Sequence, residues 1–188
     1  MNNIDHLKKE LNKREDFRKE HTLSVVKEAV NIAQKYGADI FKVEIAGLLH
    51  DYARNYKYDK LLEIVENNNI KIDKWEKEVP GLLHSPVGAF LAKKEFEVED
   101  KEILNAIRYH TIGRPEMSII EKIIFVADVI ESNRDFPGVD LIRNEVEKEL
   151  DEAVILVCDF TISYNIKRKR VIHPNTVLTR NSLLKGDK

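Results

Sequence analysis

Apolar residues recur at helical spacing along nearly the whole of this sequence. Leu23, Val26, Val30 and Ala33 follow one another at intervals of three or four residues, as they do on the buried face of an α-helix. No stretch shows the sustained alternation of apolar and polar residues that marks a half-buried strand. The sequence therefore predicts an all-α protein, folded as a single-domain helical bundle.

Residues that favour helix ends divide this pattern into separate helices. Gly37 is a natural C-cap for the first long helix, and Asp39 is a natural N-cap for the next one. Asp100 is expected to cap the helix that begins "KEILNAIRYH". Ser118 and Glu121 have the spacing of a capping box.

Other helix limits follow from composition. A helix is predicted over about 59–67, and "HSPVGAFLAKKEF" is predicted to form another, with Ser85 as N-cap and Pro86 at its first position. After the loop "SNRDFPGVD", two or three more helices are expected, to about Leu184.

Net charge and cysteine content limit the classes of function that the protein can have. The formal charge of −2 argues against a general affinity for nucleic acid or for an anionic membrane. Cys158 is the only cysteine and cannot form an internal disulfide, so we expect a cytoplasmic protein with an inert, buried thiol. The start, "MNNIDHLKKELNKRED", has no apolar stretch of the kind found in signal peptides. We expect a small-molecule partner.

Four histidines and two aspartates form the main candidate site. They are His21, His50, Asp51, His84, His110 and Asp128. Imidazole nitrogen and carboxylate oxygen together suit octahedral divalent metals such as iron, manganese or cobalt. Six ligands are more than one metal needs if it keeps positions open for water and substrate, and they are about right for two metals that share a carboxylate. The pattern indicates a two-metal hydrolase.

Each of these residues also has an ordinary explanation when taken alone. A histidine can lie at the surface, in a loop or at a helix end, but the two aspartates follow strongly apolar runs, "IAGLLH" and "IIFVA". A carboxylate there is costly unless it is paired or bound to a metal. We therefore favour a joint metal site. His6 is expected to be exposed, and His173 is expected to be structural, with substrate contact as the alternative.

Longer segments around these residues carry a family resemblance. They read "LLHDYAR", "PGLLHSPVGA", "EILNAIRYHTIGRPEM", "EKIIFVADVIESNRDFPGVDLIR" and "IHPNTVLTRN". The order H…HD…H…H…D resembles that of HD-domain metallohydrolases, in the YqeK-type branch of bacterial symmetrical bis(5'-nucleosyl)-tetraphosphatases. The resemblance extends from His21 to Asn181. Departures from the family pattern fall at Arg54, Ile112 and Ser132, and none is a proposed ligand.

The resemblance implies a fold, an activity and a ligand set. It implies one HD-type domain over 1–188, with a metal-site core at about 18–135 and C-terminal helices at 139–185. It implies hydrolysis of diadenosine tetraphosphate to two ADP by a metal-bound hydroxide, with two irons as the expected metals. One metal is assigned to His21, His50, Asp51 and Asp128, and the other to Asp51, His84 and His110. Asp51 bridges, and Asp51 and Asp128 are the expected catalytic residues.

Three arginines flank the ligand segments. Arg54, Arg114 and Arg134 are predicted to bind the polyphosphate, and the alternative is that they form surface salt bridges. Arg108 is expected to pair with an acidic residue. Glu131 is expected to support a ligand or to cap a helix.

Several functional alternatives share these features. Another HD-domain phosphohydrolase would act on nucleotide monophosphates, cyclic nucleotides or (p)ppGpp. A diiron oxygenase also uses mixed histidine and carboxylate ligands, and a nucleotide-binding or metal-sensing protein would need no turnover. The sequence leaves the identity of the metal, the recognition of adenine and the oligomeric state open, with a homodimer as one candidate.

Overall fold

The structure is a computed structural model that describes residues 4–15 and 18–184. Within that part of the chain every regular element is helical, which confirms the all-α prediction. The predicted domain limits of 1–188 reach beyond the described residues, as does the last residue of the predicted 139–185 segment. The α-helices are α1 (Ile4–Leu11), α2 (Lys19–Tyr36), α3 (Ile40–Leu49), α4 (Tyr58–Asn67), α5 (Lys74–Glu78), α6 (His84–Phe96), α7 (Lys101–Tyr109), α8 (Ile119–Ile130), α9 (Val139–Val146), α10 (Leu150–Lys167) and α11 (Pro174–Leu183), and a 3-10 helix covers Pro80–Leu82.

The predicted helix caps are present. Gly37 ends α2 with φ at 67°, in the left-handed region that glycine adopts without strain. Asp39 accepts a hydrogen bond from the main-chain N–H of Lys42 at the start of α3. Ser118 and Glu121 form the capping box of α8, each side chain bonding the other's main-chain N–H.

The predicted start of α6 is wrong. Ser85 was expected to be its N-cap, but α6 begins at His84 and Ser85 lies buried in its first turn. The 3-10 helix at Pro80–Leu82 leads almost directly into α6, so helical geometry is already established before Ser85. Its hydroxyl oxygen lies 3.1 Å from that of Thr111 instead of capping the helix.

The core forms around α8, which packs against α2, α3, α7, α9 and α10. Its side chains Ile123, Ile124 and Phe125 are almost completely buried, and each such burial stabilises the fold by about 1.5–3 kcal/mol. Gly47 lets α3 approach α2 closely, because a Cβ there would lie 3.0 Å from a methyl carbon of Val26. This packing brings α2, α3, α7 and α8 together.

Two further expectations concern single features. Cys158 is buried in α10, and burial raises the pKa of its thiol to about 12, so the thiol is inert as predicted. His6 is exposed on α1, also as predicted. Among the described residues no helix is both long enough and apolar enough to cross a membrane.

Candidate metal centre

Helix ends bring the six predicted ligands together. His21 lies in the first turn of α2 and Asp128 lies in the last turn of α8. His50 and His110 immediately follow the last residues of α3 and α7, and His84 is the first residue of α6. These groups form three overlapping clusters whose ligand atoms lie within 4.8 Å of one another.

Asp51 lies at the middle of the cluster, with one carboxylate oxygen toward each pair of histidines. Oδ1 is 3.2 Å from Nε2 of His84 and 3.6 Å from Nε2 of His110. Oδ2 is 3.4 Å from Nε2 of His21 and 3.5 Å from Nε2 of His50. A carboxylate placed in this way can bridge two cations.

Asp128 adds a second carboxylate, nearest to the Oδ2 side and also within 4.8 Å of the ligand atom of His110. Its Oδ1 lies 3.2 Å from Nε2 of His21 and 4.0 Å from Nε2 of His50. The Oδ2 side therefore has two histidines and two carboxylates, and the Oδ1 side has two histidines and the shared Asp51. The cluster of His50, His110 and Asp128 spans the two sides, and the assignment of ligands to each metal stays a prediction.

Three histidines are oriented by main-chain carbonyl groups. Each donates from Nδ1 to the carbonyl oxygen three residues earlier in the chain. The pairs are His50 with Gly47 at 2.7 Å, His84 with Gly81 at 2.7 Å and His110 with Ile107 at 2.8 Å. Because a carbonyl oxygen only accepts, the proton belongs on Nδ1, and the Nε2 lone pair faces the centre in the neutral ring.

A carboxylate performs the same task for the fourth histidine. Nδ1 of His21 lies 3.2 Å from Oε1 of Glu131. Glu131 is only 2% exposed, and its other oxygen accepts the main-chain N–H of Asn133 at 2.7 Å. Glu131 is thus positioned to hold His21, as expected of a supporting residue.

The cluster passes a geometric test for cation binding. Nε2 of His84 lies 3.1 Å from Nε2 of His110, and Nε2 of His21 lies 3.3 Å from Nε2 of His50. Nitrogens that converge at such distances repel each other unless a proton or a metal cation lies between them. Adjacent ligands in an octahedral shell, about 2.1 Å from a metal, are roughly 3 Å apart. The residues present fit divalent metals.

Charge interactions divide the cluster in the same way. Burial opposes the charged forms throughout, but the surrounding histidines outweigh it and hold the pKa values of Asp51 and Asp128 well below their usual range. The two carboxylates likewise outweigh burial at His21, raising its pKa to about 9. At His84 burial prevails and lowers the pKa to about 4.

Comparison with known proteins identifies the family. The family model described as HD domain matches residues 18–133. The chain is 42% identical over 166 residues to a Bacillus subtilis (strain 168) protein named bis(5'-nucleosyl)-tetraphosphatase, symmetrical, with 88% of this chain and 89% of the relative covered. A protein of the same name from Halalkalibacterium halodurans is 40% identical over 171 residues, with 90% of each chain covered. The chain belongs to the HD-domain family.

A solved structure supports this assignment. It is the crystal structure of a predicted HD superfamily hydrolase involved in NAD metabolism from Clostridium acetobutylicum, at 1.50 Å resolution. The TM-score is 0.90 with 38% sequence identity, and the match covers 96% of each chain. The whole described fold, including the helices that follow the HD-domain match, is therefore shared with that protein.

Two of the three predicted arginines contact the HD-domain cluster. Arg134 donates from Nη2 to Oδ1 of Asp128 at 2.8 Å and from Nε to the main-chain oxygen of the same residue at 3.0 Å. Arg54 donates from Nη1 to the carbonyl oxygen of Gly81 at 3.0 Å and lies 3.2 Å from Nδ1 of His84. Both arginines thus touch residues that line or orient the centre.

The third arginine is engaged by another residue. Arg114 forms a two-point ion pair with Glu121, at 2.6 Å from Nε and 2.8 Å from Nη2. The same Glu121 carboxylate belongs to the capping box of α8 and is 2% exposed. Within the described residues, the Arg114 side chain donates to Glu121 and to the main-chain oxygen of Pro115 and not to the six cluster residues.

Sequence reasoning missed one residue at the centre. Arg18, immediately before α2, donates to Oδ2 of Asp51, the oxygen on the side of His21 and His50. The available signal was its position three residues before His21, which places both at the start of the same helix.

Two other predictions outside the centre can be compared with the structure. Arg108 pairs with Glu76, as expected of an arginine near an acidic residue. His173 is buried, donates from Nε2 to Asp73 at 2.9 Å and accepts the main-chain N–H of Asn175 at 3.1 Å. These contacts are those of a structural residue that caps α11.

Proposed function

We propose that this chain hydrolyses diadenosine tetraphosphate and related dinucleoside polyphosphates symmetrically, releasing two molecules of ADP. The observation that carries the proposal is Asp51, which directs one oxygen to each of two histidine pairs. This centre lies in a chain that matches relatives named as symmetrical tetraphosphatases over most of their length.

We propose two divalent metal ions as cofactors, iron first, with manganese or cobalt as alternatives. One set of ligands comprises His21, His50, Asp51 and Asp128, and the other comprises Asp51, His84 and His110. Such ions, when bound, polarise water and phosphoryl oxygens. The two low-pKa carboxylates and His84 would supply ligand atoms without first losing protons at neutral pH, whereas the raised pKa values of His21 and His50 mean that metal binding would displace protons from these two rings.

Arginines would neutralise the polyphosphate, which carries about four negative charges on the four phosphates of this substrate. Arg54 and Arg134 already border the centre, where they lie against His84 and Asp128. Arg114 belongs to the proposal with a condition, because it must exchange the Glu121 carboxylate for a phosphate group. Asp51 and Asp128 are the proposed catalytic residues.

The proposal also covers the setting of the activity. It assigns the metal-site core to about 18–135, close to the HD match over 18–133, and the remaining helices to 139–185 of the same domain. A lone buried cysteine suits the reducing cytoplasm. A homodimer is the proposed assembly, to be checked by sedimentation of the purified protein.

Product analysis tests the activity. The protein should be purified without oxygen, its metals measured, and a panel of dinucleoside polyphosphates, nucleoside monophosphates, cyclic nucleotides and (p)ppGpp incubated with it. ADP should be the only nucleotide formed from diadenosine tetraphosphate. A mixture of ATP and AMP, or turnover confined to another nucleotide, would refute the proposal.

Isotope labelling tests the attacking group. In heavy-oxygen water one label should enter one ADP of each pair, because water attacks phosphorus directly. The chain offers no cysteine for a covalent intermediate, since Cys158 is buried in α10. Label in both ADP molecules after one turnover would contradict a single attack by water.

A further inference from the structure

A separate cavity of about 370 Å³ lies between α5, the end of α7 and the start of α11. Its lining includes Asp73, Glu76, Arg108, Tyr109 and Asn175 and none of the six cluster residues. The volume falls in the range of roughly 300–1,000 Å³ that small-molecule sites occupy.

Two walls of this cavity are formed by residues that lie close along the chain to residues of the metal centre. Tyr109 immediately precedes His110 on one wall. On the other wall Glu76 lies five residues before Gly81, whose carbonyl oxygen orients His84. Because the Cα atoms of adjacent residues are about 3.8 Å apart, the Tyr109 wall lies beside the centre, within the length of one nucleotide.

The charges that line the cavity are balanced. Arg108 and Glu76 form a buried ion pair, with contacts of 2.5 Å and 2.8 Å. Asp73 is occupied by the start of α5 and by His173. Only Lys71 remains as an exposed cation on the rim. Such a lining favours an uncharged polar group over another phosphate, because a phosphate needs cations that are not already paired.

The remaining lining suits a flat heterocycle. The guanidinium carbons of Arg108 and Arg114 lie 5.1 Å and 5.4 Å from the centre of the Tyr109 ring and hold it in place. Ile72 and Ile112 add apolar surface. Asn175 adds an amide whose Nδ2 donates to the carbonyl oxygen of Gly113 at 3.3 Å and whose Oδ1 can accept a hydrogen bond from the edge of a purine.

We propose that this cavity binds one nucleoside end of the substrate, a purine nucleoside attached to the phosphates at the metal centre. The inference rests on the proposed function, which supplies the class of substrate. It assigns the recognition of the base to Tyr109, Asn175 and the two isoleucines, and leaves the phosphates to Arg54 and Arg134.

Binding measurements on the metal-loaded, full-length protein test this assignment. Calorimetry with ADP and with inorganic pyrophosphate should be compared among the wild type, Ile72→Trp, Tyr109→Leu and the control Ile72→Val. Ile72→Trp narrows the cavity from the loop before α5, far along the chain from any ligand. We expect both test variants to weaken ADP binding by about tenfold, the scale of one lost base contact. Pyrophosphate binding should change less than about twofold, and Ile72→Val should resemble the wild type.

The outcomes separate this inference from the proposed function. Wild-type ADP binding that both folded variants retain, or a parallel loss of ADP and pyrophosphate, would overturn the cavity assignment even if diadenosine tetraphosphate is hydrolysed. Selective loss of ADP binding supports the assignment even if that substrate is not hydrolysed, in which case only the proposed function fails. Thermal unfolding identifies a misfolded variant, and the other variant then decides.

Discussion

Different residues surround the two carboxylate oxygens of Asp51. The Oδ2 side combines two histidines with Asp128, and Glu131, Arg134 and Arg18 surround it. The Oδ1 side has His84 and His110, both held by main-chain carbonyl groups, with Arg54 beside His84. The Oδ2 side has two carboxylates besides the shared aspartate, Asp128 and Glu131, and the Oδ1 side has no such carboxylate among the contacts described above.

This difference teaches how one carboxylate can serve two unequal sites. Attraction for a divalent cation grows with the number of nearby negative charges, so the Oδ2 side should bind its metal more tightly than the Oδ1 side. The histidines alone would not reveal this, since there are two on each side. The second carboxylate and its buried support make the distinction.

The largest effect is expected when the carboxylate that the two sides share is removed. Asp51→Ala removes the shared carboxylate, so both sides should lose metal together and kcat/KM should fall by roughly a thousandfold or more. Elemental analysis and ADP release would measure the two effects. Asp51→Asn is the matched control of similar shape, and retention of two metals in the alanine variant would rule out the bridging role.

Asp128→Asn should affect one side only. The metal content should fall from about two per chain toward one, because the Oδ1 side keeps all its ligands. Turnover should also be lost, while the fold remains, as far-ultraviolet circular dichroism would report. Loss of both metals would show that the two sides do not bind independently.

Glu131→Gln should weaken the Oδ2 side without removing a ligand. A supporting carboxylate behind a metal-bound histidine is worth roughly 10- to 100-fold in metal affinity, and Gln keeps the shape but loses the charge. Titration with a competing chelator would measure the change. An unchanged affinity would mean that the charge of the acceptor at Nδ1 of His21 does not contribute to metal binding.

Arginine substitutions should have the smallest effects on the metals and a moderate effect on turnover. Arg134→Ala, Arg114→Ala and Arg54→Ala should retain full metal content while kcat/KM falls by roughly 10- to 100-fold, with partial recovery by lysine. Arg114→Ala should also lower the unfolding temperature, because it leaves the Glu121 carboxylate buried without its partner. An arginine whose alanine variant turns over at the wild-type rate does not bind substrate.

Local signals made much of this fold predictable. Helix caps such as Asp39 and Ser118 act on main-chain groups within three residues, so their roles follow from the neighbouring sequence. The start of α6 was misjudged because the preceding 3-10 helix extends the helical path before Ser85. The short α5 was missed because five residues are too few to show periodicity.

The six residues of the site could be predicted from the sequence, but the ion pairs of the nearby arginines could not. The HD pattern and the apolar setting of Asp51 and Asp128 led to the six residues that converge in the structure. The pairing of Arg114 with Glu121 depends on how the loop before α8 folds back, and the bond from Arg18 to Asp51 joins residues 33 positions apart. Such pairings depend on tertiary packing, which spacing along the chain does not record.

The main-chain acceptors of three histidines bear on how this centre tolerates mutation. Whatever side chain stands at positions 47, 81 and 107, a carbonyl oxygen remains there to receive the Nδ1 proton. His21 differs, because its acceptor is the side chain of Glu131 and therefore depends on the identity of that one residue. A single substitution at Glu131 can therefore misorient His21 without changing a ligand. The other three histidines keep their main-chain acceptors whatever the neighbouring side chains are.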